Sequence, residues 1–398
     1  MSSHVIPGLT DSEATPTGAG YQPRTLVLLG SGHAHVHLLK SLASKPLVGV
    51  QVVLVSPHPR QLVASLLPSF VEGRRSIEDC AIALEPLVQR AGVRWLECSA
   101  KGLNARDQCL SLDNGSLLKY DWLSINTGVV MDREASERSM PGARTHALFV
   151  RPAEGFAALW PRVVALGAER ALRVTVVGSG TAAIELACAV RVRLPNAAVT
   201  LVCGASPLLA IAGKATQQQL GLALRQRGIT VLQDNAVGFA EGLVQLGCGA
   251  TLACDIPLLA TPARAPTWLL SSGLALDGHG CVATASTLRS TSHGTVFATG
   301  SVGSRKEPLE HLGGRFTAFA GHTLAHNLAA ATSGAPLKPH REPTAKSLLV
   351  SLGAGRAIGH WGPLAVQGRL AGLIKQWIDQ RYLAACRSSS ASAPAGSR

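Results

Sequence analysis

Two stretches of the sequence, TLVLLGSGHAHVHLLK at residues 25–40 and RVTVVGSGTAAIELACAVR at residues 173–191, decide the fold. Each has a short apolar run, a Gly-Ser-Gly turn and a segment whose apolar residues recur at helical spacing. A second apolar run follows each segment, at residues 50–55 and 198–202. The pattern predicts two βαβ units of the dinucleotide-binding type, with strands at 25–29 and 173–177 and helices at 36–43 and 182–193.

The glycines of each turn have a physical role in such a unit. The first permits a positive φ, the second lets the backbone approach a pyrophosphate, and the following helix begins with unpaired N–H groups. Gly30 and Gly32 meet this need in the first unit, and Gly178 and Gly180 meet it in the second. The third position is normally small, so that helix and strand pack closely. Ala183 satisfies that requirement, whereas His35 does not.

An acidic residue at the end of the second strand usually binds the adenosine ribose. Ser56 stands there in the first unit, and Cys203 and Gly204 stand there in the second. None of them offers a carboxylate, and no arginine follows directly to bind a 2′-phosphate. The choice between NADH and NADPH therefore stays open.

Composition limits the class of protein. The chain has 398 residues, 46% hydrophobic and 15% charged, which predicts two or three domains of α/β type. The net charge of +13 suits an anionic cofactor, an anionic membrane or nucleic acid. The basic residues are scattered rather than clustered in an arm, which disfavours nucleic acid.

The nine cysteines form no C-x-x-C pair and no metal-ligand spacing, so we read them as thiols of a reducing compartment and expect no metal. The first 23 residues lack the basic and apolar segments of a secretory signal, and no apolar run reaches membrane-spanning length. We therefore expect a cytoplasmic protein.

Five motifs resemble the pyridine nucleotide-disulfide oxidoreductase superfamily over about residues 24–330. In chain order they are GSGHAHVHLLK, YDWLSINTG, MPG, VVGSGTAAIELA and VFATGS. Within the superfamily the chain resembles type II NADH dehydrogenases. It resembles more closely the NADH dehydrogenase-like flavoprotein that occurs alone or fused to selenide, water dikinase, in its GHAH turn, its LLP at residues 66–68, its LSINTG and its late GRAIGHWGPLAVQGR.

The resemblance implies two Rossmann-like dinucleotide-binding domains and a C-terminal α/β segment. The FAD-binding domain would be split between residues 24–150 and 268–345, with the NAD(P)H-binding domain inserted at 151–267. A C-terminal segment with an amphipathic helix would follow at 346–386. Residues 1–23 and 387–398 are low-complexity and predicted to be disordered.

The resemblance also implies site residues. FAD would be held by the first turn, the strand ends beside it and the late Thr-Gly, and NAD(P)H by the second turn, with Glu185 as the catalytic glutamate near the nicotinamide. The FAD residues are Gly30, Ser31, Gly32, His33, Ala34, Ser56, Thr127, Gly128, Gly300 and Ser301; the NAD(P)H residues are Gly178, Gly180, Thr181 and Ala183. The alternative for Glu185 is a solvated carboxylate on the helix surface.

Three positions depart from the family pattern. Ser301 replaces the aspartate that normally follows the late glycine, Pro262 replaces a glycine of the inserted domain's return strand, and Ala320 replaces a glutamine on the quinone side. The first departure removes one negative charge beside a diphosphate.

The predicted chemistry is hydride transfer from C4 of the nicotinamide to N5 of the flavin, followed by electron transfer to a quinone or another small acceptor. A rival is a degenerate nucleotide-binding regulatory or partner protein, which the family resemblance would connect with selenium metabolism. The residues that favour it are Ser301, Ser56, His35 and Pro262. A third reading, a disulfide or sulfide oxidoreductase, is disfavoured because no cysteine pair has catalytic spacing.

Two further patterns leave alternatives open. His33, His35 and His37 alternate as metal ligands sometimes do, but two of them fall in the predicted phosphate turn, which favours packing or phosphate contact. Residues 364–383 place apolar side chains at helical spacing, with cationic residues mainly on the other face. This segment fits peripheral contact with the inner face of the cell membrane, a homodimer surface or ordinary core. The apolar positions are Leu370, Leu373, Ile374, Trp377 and Ile378.

Overall fold

The structure is a computed structural model that describes residues 5–6, 23–205, 207–210, 213–304, 314–341, 347–361 and 364–387. Of the N-terminal stretch predicted to be disordered, residues 5–6 form a strand. Of the predicted tail, Arg387 is instead the last residue of a helix and bonds to the carbonyls of Glu78 and Ala81, while residues 388–398 lie outside the described part of the chain.

The first sheet is built from buried parallel strands, as the continuous apolar runs predict. Its order is β10-β2-β3-β6, and β7, β8 and β9 form a separate antiparallel excursion that β1 joins. The first helix begins three residues earlier than predicted, so His33, His35 and His37 all lie on it. The elements are β1 Val5–Ile6, β2 Arg24–Leu29, α1 His33–Ser44, β3 Val50–Val55, β4 Arg60–Leu62, α2 Leu67–Val71, β5 Ala81–Ala83, α3 Glu85–Ala91, β6 Arg94–Leu96, β7 Ala100–Asn104, β8 Cys109–Leu112, β9 Leu117–Lys119 and β10 Trp122–Ile125.

A second parallel sheet follows, in the order β11-β18-β12-β13-β14, with an antiparallel three-stranded sheet of β15, β16 and β17 beside it. The chain thus repeats the architecture of its first part, as the second glycine turn predicts. The elements are α4 Arg133–Ser139, α5 Ala143–His146, β11 Leu148–Phe149, α6 Ala153–Glu169, β12 Arg173–Val177, α7 Thr181–Arg193, β13 Ala198–Val202, α8 Lys214–Gln226, β14 Ile229–Leu232, β15 Ala236–Ala240, β16 Leu243–Leu246, β17 Thr251–Ala253 and β18 Ile256–Leu259.

The last part of the chain first returns to the first sheet and then forms a small sheet and a helix. β19 pairs in parallel with β10, which makes the first sheet β19-β10-β2-β3-β6. The small sheet is a three-stranded antiparallel meander. The elements are β19 Val296–Ala298, α9 Gly314–Ser333, β20 Ser347–Gly353, β21 Arg356–Trp361, β22 Leu364–Gly368 and α10 Arg369–Arg387, and short 3₁₀ helices lie at Ala64–Leu66, Glu78–Cys80, Thr267–Ser271 and Gly300–Val302.

Both faces of each parallel sheet are covered, which explains the lack of polar alternation in the strands. On β2, Leu26 and Leu28 pack into one apolar cluster, and Val27 and Leu29 pack into another on the opposite face. The predicted α/β class with two Rossmann-like units is therefore confirmed.

Two segments that cross between the parallel sheets run side by side. The N–H of Val130 donates to the carbonyl of Arg264, and the N–H of Arg264 donates back to Val130, each at 2.8 Å. The chain thus leaves the first sheet and re-enters it at adjacent points.

The C-terminal meander packs on α7, the helix that follows the second glycine turn. Leu348, Val350 and Leu352 belong to the same apolar cluster as the buried residues of α7. Arg227 fixes the meander further, because its Nε donates to the carbonyl of Leu352 at 2.7 Å. α10 packs on β21 of the same meander, and its Lys375 lies beside Glu185.

Candidate functional site

The first glycine turn is pressed against the end of β10. Gly30 has φ +89°, and a Cβ there would lie 2.5 Å from the Cα of Thr127. A Cβ at Gly32 would overlap the side chain of Asn126. The backbone carbonyl of Asn126 accepts the N–H of Gly32 at 3.1 Å. Glycine is therefore required at both positions by the fold itself.

The same turn leads into α1, whose first backbone N–H groups lack hydrogen-bond acceptors in the described part of the chain. No side chain caps Gly32, and the first turn of α1 carries no acidic residue. Among the described residues, the N–H groups of Ser31, His33 and Ala34 have no acceptor. Unpaired N–H groups and the positive end of the helix dipole together form an anion-binding site.

His35 fills the space that a small residue was expected to leave. It is fully buried, its Nδ1 lies 2.6 Å from the carbonyl oxygen of Gly30, and its Nε2 lies 2.8 Å from Oγ of Ser124 on β10. Burial lowers the pKa of His35 to about 4, although the Gly30 contact opposes this. The imidazole is therefore neutral and has a partner at each nitrogen.

Ser56 lies where predicted, at the end of β3, but it is only 2% exposed. Its hydroxyl donates to Ser31 Oγ at 3.1 Å, and the Ser31 hydroxyl donates to Oε1 of Gln61 at 3.1 Å. These three side chains form a neutral hydrogen-bonded row beside the turn, in place of the usual carboxylate.

Asn126, which the sequence did not single out, joins Thr299 and Gly300 to the first turn. The Nδ2 of Asn126 donates to the carbonyl of Thr299 at 2.9 Å, and a Cβ at Gly300 would lie 2.5 Å from that Nδ2. Ser301 is half-buried beside them, and the hydroxyl of Thr127 donates to the carbonyl of Gly128 at 3.2 Å. Asn126 could have been predicted as a site residue, because it is a polar residue at the end of a buried strand and directly precedes Thr127 and Gly128.

One buried atom in this region has no partner among the described residues, the hydroxyl of Thr299. An orphaned buried hydroxyl costs free energy unless a ligand or water satisfies it. Its place next to Gly300 supports a ligand with hydroxyl or phosphate oxygens.

The second glycine turn has a different interior. A Cβ at Gly178 would lie 2.5 Å from the carbonyl oxygen of Ala260 and 3.1 Å from the Cβ of Ala183, so the turn, the return strand and the helix pack tightly. At Gly180 no atom lies within 4 Å of the added Cβ. Gly180 thus borders open space at the start of α7, next to Thr181, and no side chain caps the helix there.

The residue that meets the second turn is Ala260, and Pro262 lies two positions beyond it. Pro262 is exposed, so the proline does not close the turn. At the end of β13, Cys203 is buried, and the Oδ1 of Asn235 lies 3.2 Å from an added Cβ at Gly204. The described residues place an amide, not a carboxylate, at this strand end.

Glu185 is neither solvated nor free. It is 9% exposed, and its Oε1 accepts the N–H of Ser351 at 2.7 Å and lies 3.8 Å from the Nζ of Lys375. Lys375 also bonds to Asp379 at 3.1 Å. Burial raises the pKa of Glu185, which Lys375 and Ser351 oppose. Burial lowers the pKa of Lys375, but Glu185 and Asp379 raise it above its ordinary value. The surface-carboxylate alternative is therefore wrong.

A cavity of about 540 Å³ lies beside this cluster, between α2, the β20–β21 turn and α10. Its wall is polar: Arg74, Arg75, Arg356 and Lys375 supply cations, and Asp79 and Asp379 supply anions. Ala320, the position of the family's quinone-side glutamine, is fully buried on α9 and contacts the core instead.

The other two histidines of the alternating run, His33 and His37, have protein partners. His33 bonds to the hydroxyl of Tyr382 on α10, and burial lowers its pKa to about 4. The Nε2 atoms of His37 and His322 lie 2.9 Å apart. The pKa of His37 is lowered to about 4 by burial, then by His322 and Lys40. Among the described residues, no three metal-ligating side chains cluster.

All nine cysteines are free thiols. Burial raises the pKa of Cys80 and Cys281 to about 11 and that of Cys188 to about 12, so these thiols stay protonated at neutral pH.

The sequence matches one family model, described as pyridine nucleotide-disulphide oxidoreductase, over residues 24–317. No curated protein gives a significant match.

Several solved structures share the fold. The sulfide:quinone oxidoreductase of the hyperthermophilic bacterium Aquifex aeolicus is 16% identical, with a TM-score of 0.73 over 92% of each chain. NDH2 of Plasmodium falciparum, solved in complex with NADH, is 13% identical, with a TM-score of 0.73 over 92% of this chain and 98% of that one. A ferredoxin reductase of Rhodopseudomonas palustris is 18% identical, with a TM-score of 0.68 over 84% of this chain and 81% of that one.

Proposed function

Because the chain belongs to the pyridine nucleotide-disulphide oxidoreductase family, we propose that it oxidises NAD(P)H through FAD and passes the electrons to a small acceptor. The observation that carries the proposal is the pair of Gly-Ser-Gly turns, each opening on an uncapped helix with no acid in its first turn. Two such anion sites in one chain match two dinucleotides.

The cofactors are FAD and NAD(P)H, and the residues of the two turns fit them. The first turn offers the free N–H groups of Ser31, His33 and Ala34, with the orphaned Thr299 hydroxyl across from it. The second offers open space at Gly180. We assign FAD to the first turn and the split domain around it, and NAD(P)H to the second turn and the inserted domain.

When bound, FAD supplies the chemistry by accepting hydride from the nicotinamide and releasing electrons singly or in pairs. The protein's part is to bind, align and exclude water. The turn at Gly30 and the strand end at Gly300 would hold FAD along its length. Thr127 and Gly128 would close over it.

Glu185 serves in this proposal as a positioning residue. Its carboxylate joins α7 to the C-terminal part through Ser351 and Lys375. It would therefore fix the NAD(P)H-binding helix against α10 rather than take up a proton from the substrate.

We further propose that the acceptor is a quinone or another small molecule. The quinone assignment is supported by the fold shared with a sulfide:quinone oxidoreductase and by the family resemblance of the sequence. Against it, Ala320 is buried, and the polar wall of the cavity beside Lys375 suits a compact polar acceptor better than a long apolar tail.

We also propose that the C-terminal helix rests on a membrane surface. Leu370, Leu373 and Trp377 are 65%, 61% and 58% exposed, so they form an apolar face turned outward, not core. The guanidinium of Arg381 lies 5.2 Å from the Trp377 ring and supplies positive charge beside that face. No helix of the described residues is long and apolar enough to cross a membrane. Contact would therefore be peripheral.

Sedimentation with vesicles tests this face. We expect the protein to sediment with vesicles of anionic phospholipid and the double variant Leu373→Ser, Trp377→Ser to bind them at least about tenfold more weakly, since two large apolar contacts are lost. Leu222→Ser, at a 54% exposed leucine on α8, is the control. Unchanged vesicle binding with loss of a dimer in analytical ultracentrifugation would assign the face to a homodimer instead.

A second candidate is a regulatory or partner protein that binds a nucleotide without turnover. Ser56 and Ser301 favour it, because both replace a carboxylate of the family pattern with a neutral hydroxyl. A partner protein would have the same fold and the same two turns as the enzyme. It would differ from the enzyme in that it does not retain FAD or does not reduce it.

The visible absorption spectrum separates the two candidates. We expect the purified protein to show a flavin band that is bleached by anaerobic addition of NADH or NADPH, and the nucleotide that bleaches it is the donor. A colourless protein that takes up no added FAD would overturn the enzyme proposal and leave the partner protein as the function.

A further inference from the structure

His35 occupies a position where the dinucleotide fold normally has a small side chain, and it has no role in the function proposed above. It is fully buried on α1, one turn below the first glycine. Burying an imidazole is costly unless each ring nitrogen is hydrogen-bonded. Both nitrogens of His35 are bonded, which offsets this cost. The geometry of its two bonds shows what it does to the turn.

The bond to Gly30 fixes the tautomer of the imidazole. A backbone carbonyl only accepts, so Nδ1 of His35 must carry the hydrogen that bridges the 2.6 Å to the Gly30 oxygen. In a neutral ring Nε2 is then an acceptor, and the hydroxyl of Ser124 donates to it at 2.8 Å. Ser124 is itself fully buried on β10 and therefore holds the ring in this orientation.

The bond also fixes the peptide between Gly30 and Ser31. This peptide is trans, and in a planar trans peptide the C=O and the N–H point in opposite directions. With its carbonyl held inward by His35, the peptide must present the N–H of Ser31 outward. That N–H has no acceptor among the described residues, and it lies at the open side of the turn.

We propose that His35, held in place by Ser124, is a positioning residue for FAD: its bond to the Gly30 carbonyl turns the Ser31 N–H toward the FAD diphosphate. This rests on the proposed function, since it assumes that the first turn binds FAD. The hydrogen-bonded ring replaces the small residue of the usual motif. It orders the turn from behind, where an alanine would only leave room.

A pair of substitutions at His35 tests the proposal. His35→Asn keeps an N–H donor at the place of Nδ1, and His35→Leu fills similar volume without a donor. We expect the Kd for FAD to rise about tenfold or more in the leucine variant and to stay within about threefold of wild type in the asparagine variant, because an unpaired buried carbonyl leaves the turn free to rotate. Kd is measured by titrating FAD into the FAD-stripped full-length chain and following fluorescence.

Leu39→Ala is the control for simple loss of packing. Leu39 is fully buried on the same helix, about one turn further from Gly30 than His35, and it packs in an apolar cluster. It should lower the unfolding temperature as much as His35→Leu or more, yet leave the Kd for FAD unchanged. The Kd for NAD(P)H should stay at its wild-type value in every variant, because the second turn does not contact His35.

Ser124→Ala keeps the proposal testable if His35→Leu fails to fold. Without the hydroxyl, Nε2 of His35 loses its partner and the ring is held less firmly against the Gly30 carbonyl, so we expect the Kd for FAD to rise about two- to fivefold. Wild-type affinity in both His35→Leu and Ser124→Ala, or an equal loss in Leu39→Ala, would overturn the positioning role alone. A wild-type protein that binds no FAD would overturn the proposed function as well.

Discussion

The turn at Gly30 and the turn at Gly178 begin with the same three residues, Gly-Ser-Gly, but different atoms support them from behind. In the second turn Ala183 packs directly beneath the glycine, and apolar contact closes the space. In the first turn His35 and Asn126 close it, through bonds to Gly30, Ser124 and Thr299. A nucleotide turn can therefore be braced by close packing or by a buried polar network, and the two solutions differ in what disturbs them.

The middle glycines should show the largest difference. A methyl at Gly32 would overlap Asn126, whereas a methyl at Gly180 meets no atom within 4 Å. Since both glycines have φ and ψ that alanine accepts, we expect Gly32→Ala to lower the free energy of unfolding by about 3 kcal/mol through overpacking. Gly180→Ala should change it by less than about 0.5 kcal/mol while weakening NAD(P)H binding. Urea unfolding and nucleotide titration measure both, and equal stability losses would contradict the packing difference.

Acid should disturb the first turn and not the second, because only the first contains a titratable group. The folded pKa of His35 is about 4, below its ordinary value of 6.5, so between these values the unfolded chain holds a proton that the folded chain lacks. Stability is therefore full above pH 6.5 and falls toward pH 4, by about 2 kcal/mol from this one group at pH 5.

Urea unfolding of wild type and His35→Asn at pH 7 and pH 5 isolates this contribution. His33 and His37, whose pKa values are also lowered, are present in both proteins and cancel in the difference. A variant that loses as much stability as wild type between the two pH values would show that His35 does not titrate as described.

The smallest effect is expected at the return strands. Pro262 is exposed and lies past the Ala260 contact, so Pro262→Gly should leave the Kd for NAD(P)H unchanged. It should lower the free energy of unfolding by no more than about 1 kcal/mol, through the greater freedom of the unfolded chain. A large loss of NAD(P)H affinity would mean that the proline, despite its exposure, shapes the nucleotide site.

The sheets were predictable because their signals are local. Continuous apolar runs followed by Gly-Ser-Gly mark buried parallel strands wherever they occur, and both glycine turns lie where expected. The start of α1 was misplaced because His33 and His35 read as polar turn residues, while tertiary contacts with Tyr382 and Ser124 make them helical.

The site was only partly predictable because its supporting contacts join distant parts of the chain. Ser124 and Asn126 matter because β10 lies next to both β2 and β19, which no local pattern shows. The burial of Glu185 could not be predicted because its partners, Ser351 and Lys375, belong to the C-terminal segment. Such pairings depend on how the segments dock.

The position of β19 governs how the protein can be assembled on the ribosome. Asn126 and Thr299, which join across the first sheet, lie 173 positions apart, and the whole second sheet is synthesised between them. All five strands of the second parallel sheet are therefore synthesised before the first sheet receives its last strand. Since Val130 and Arg264 hold the two ends of the insert together, its prior folding brings β19 back beside β10 and replaces a long loop closure with a short one.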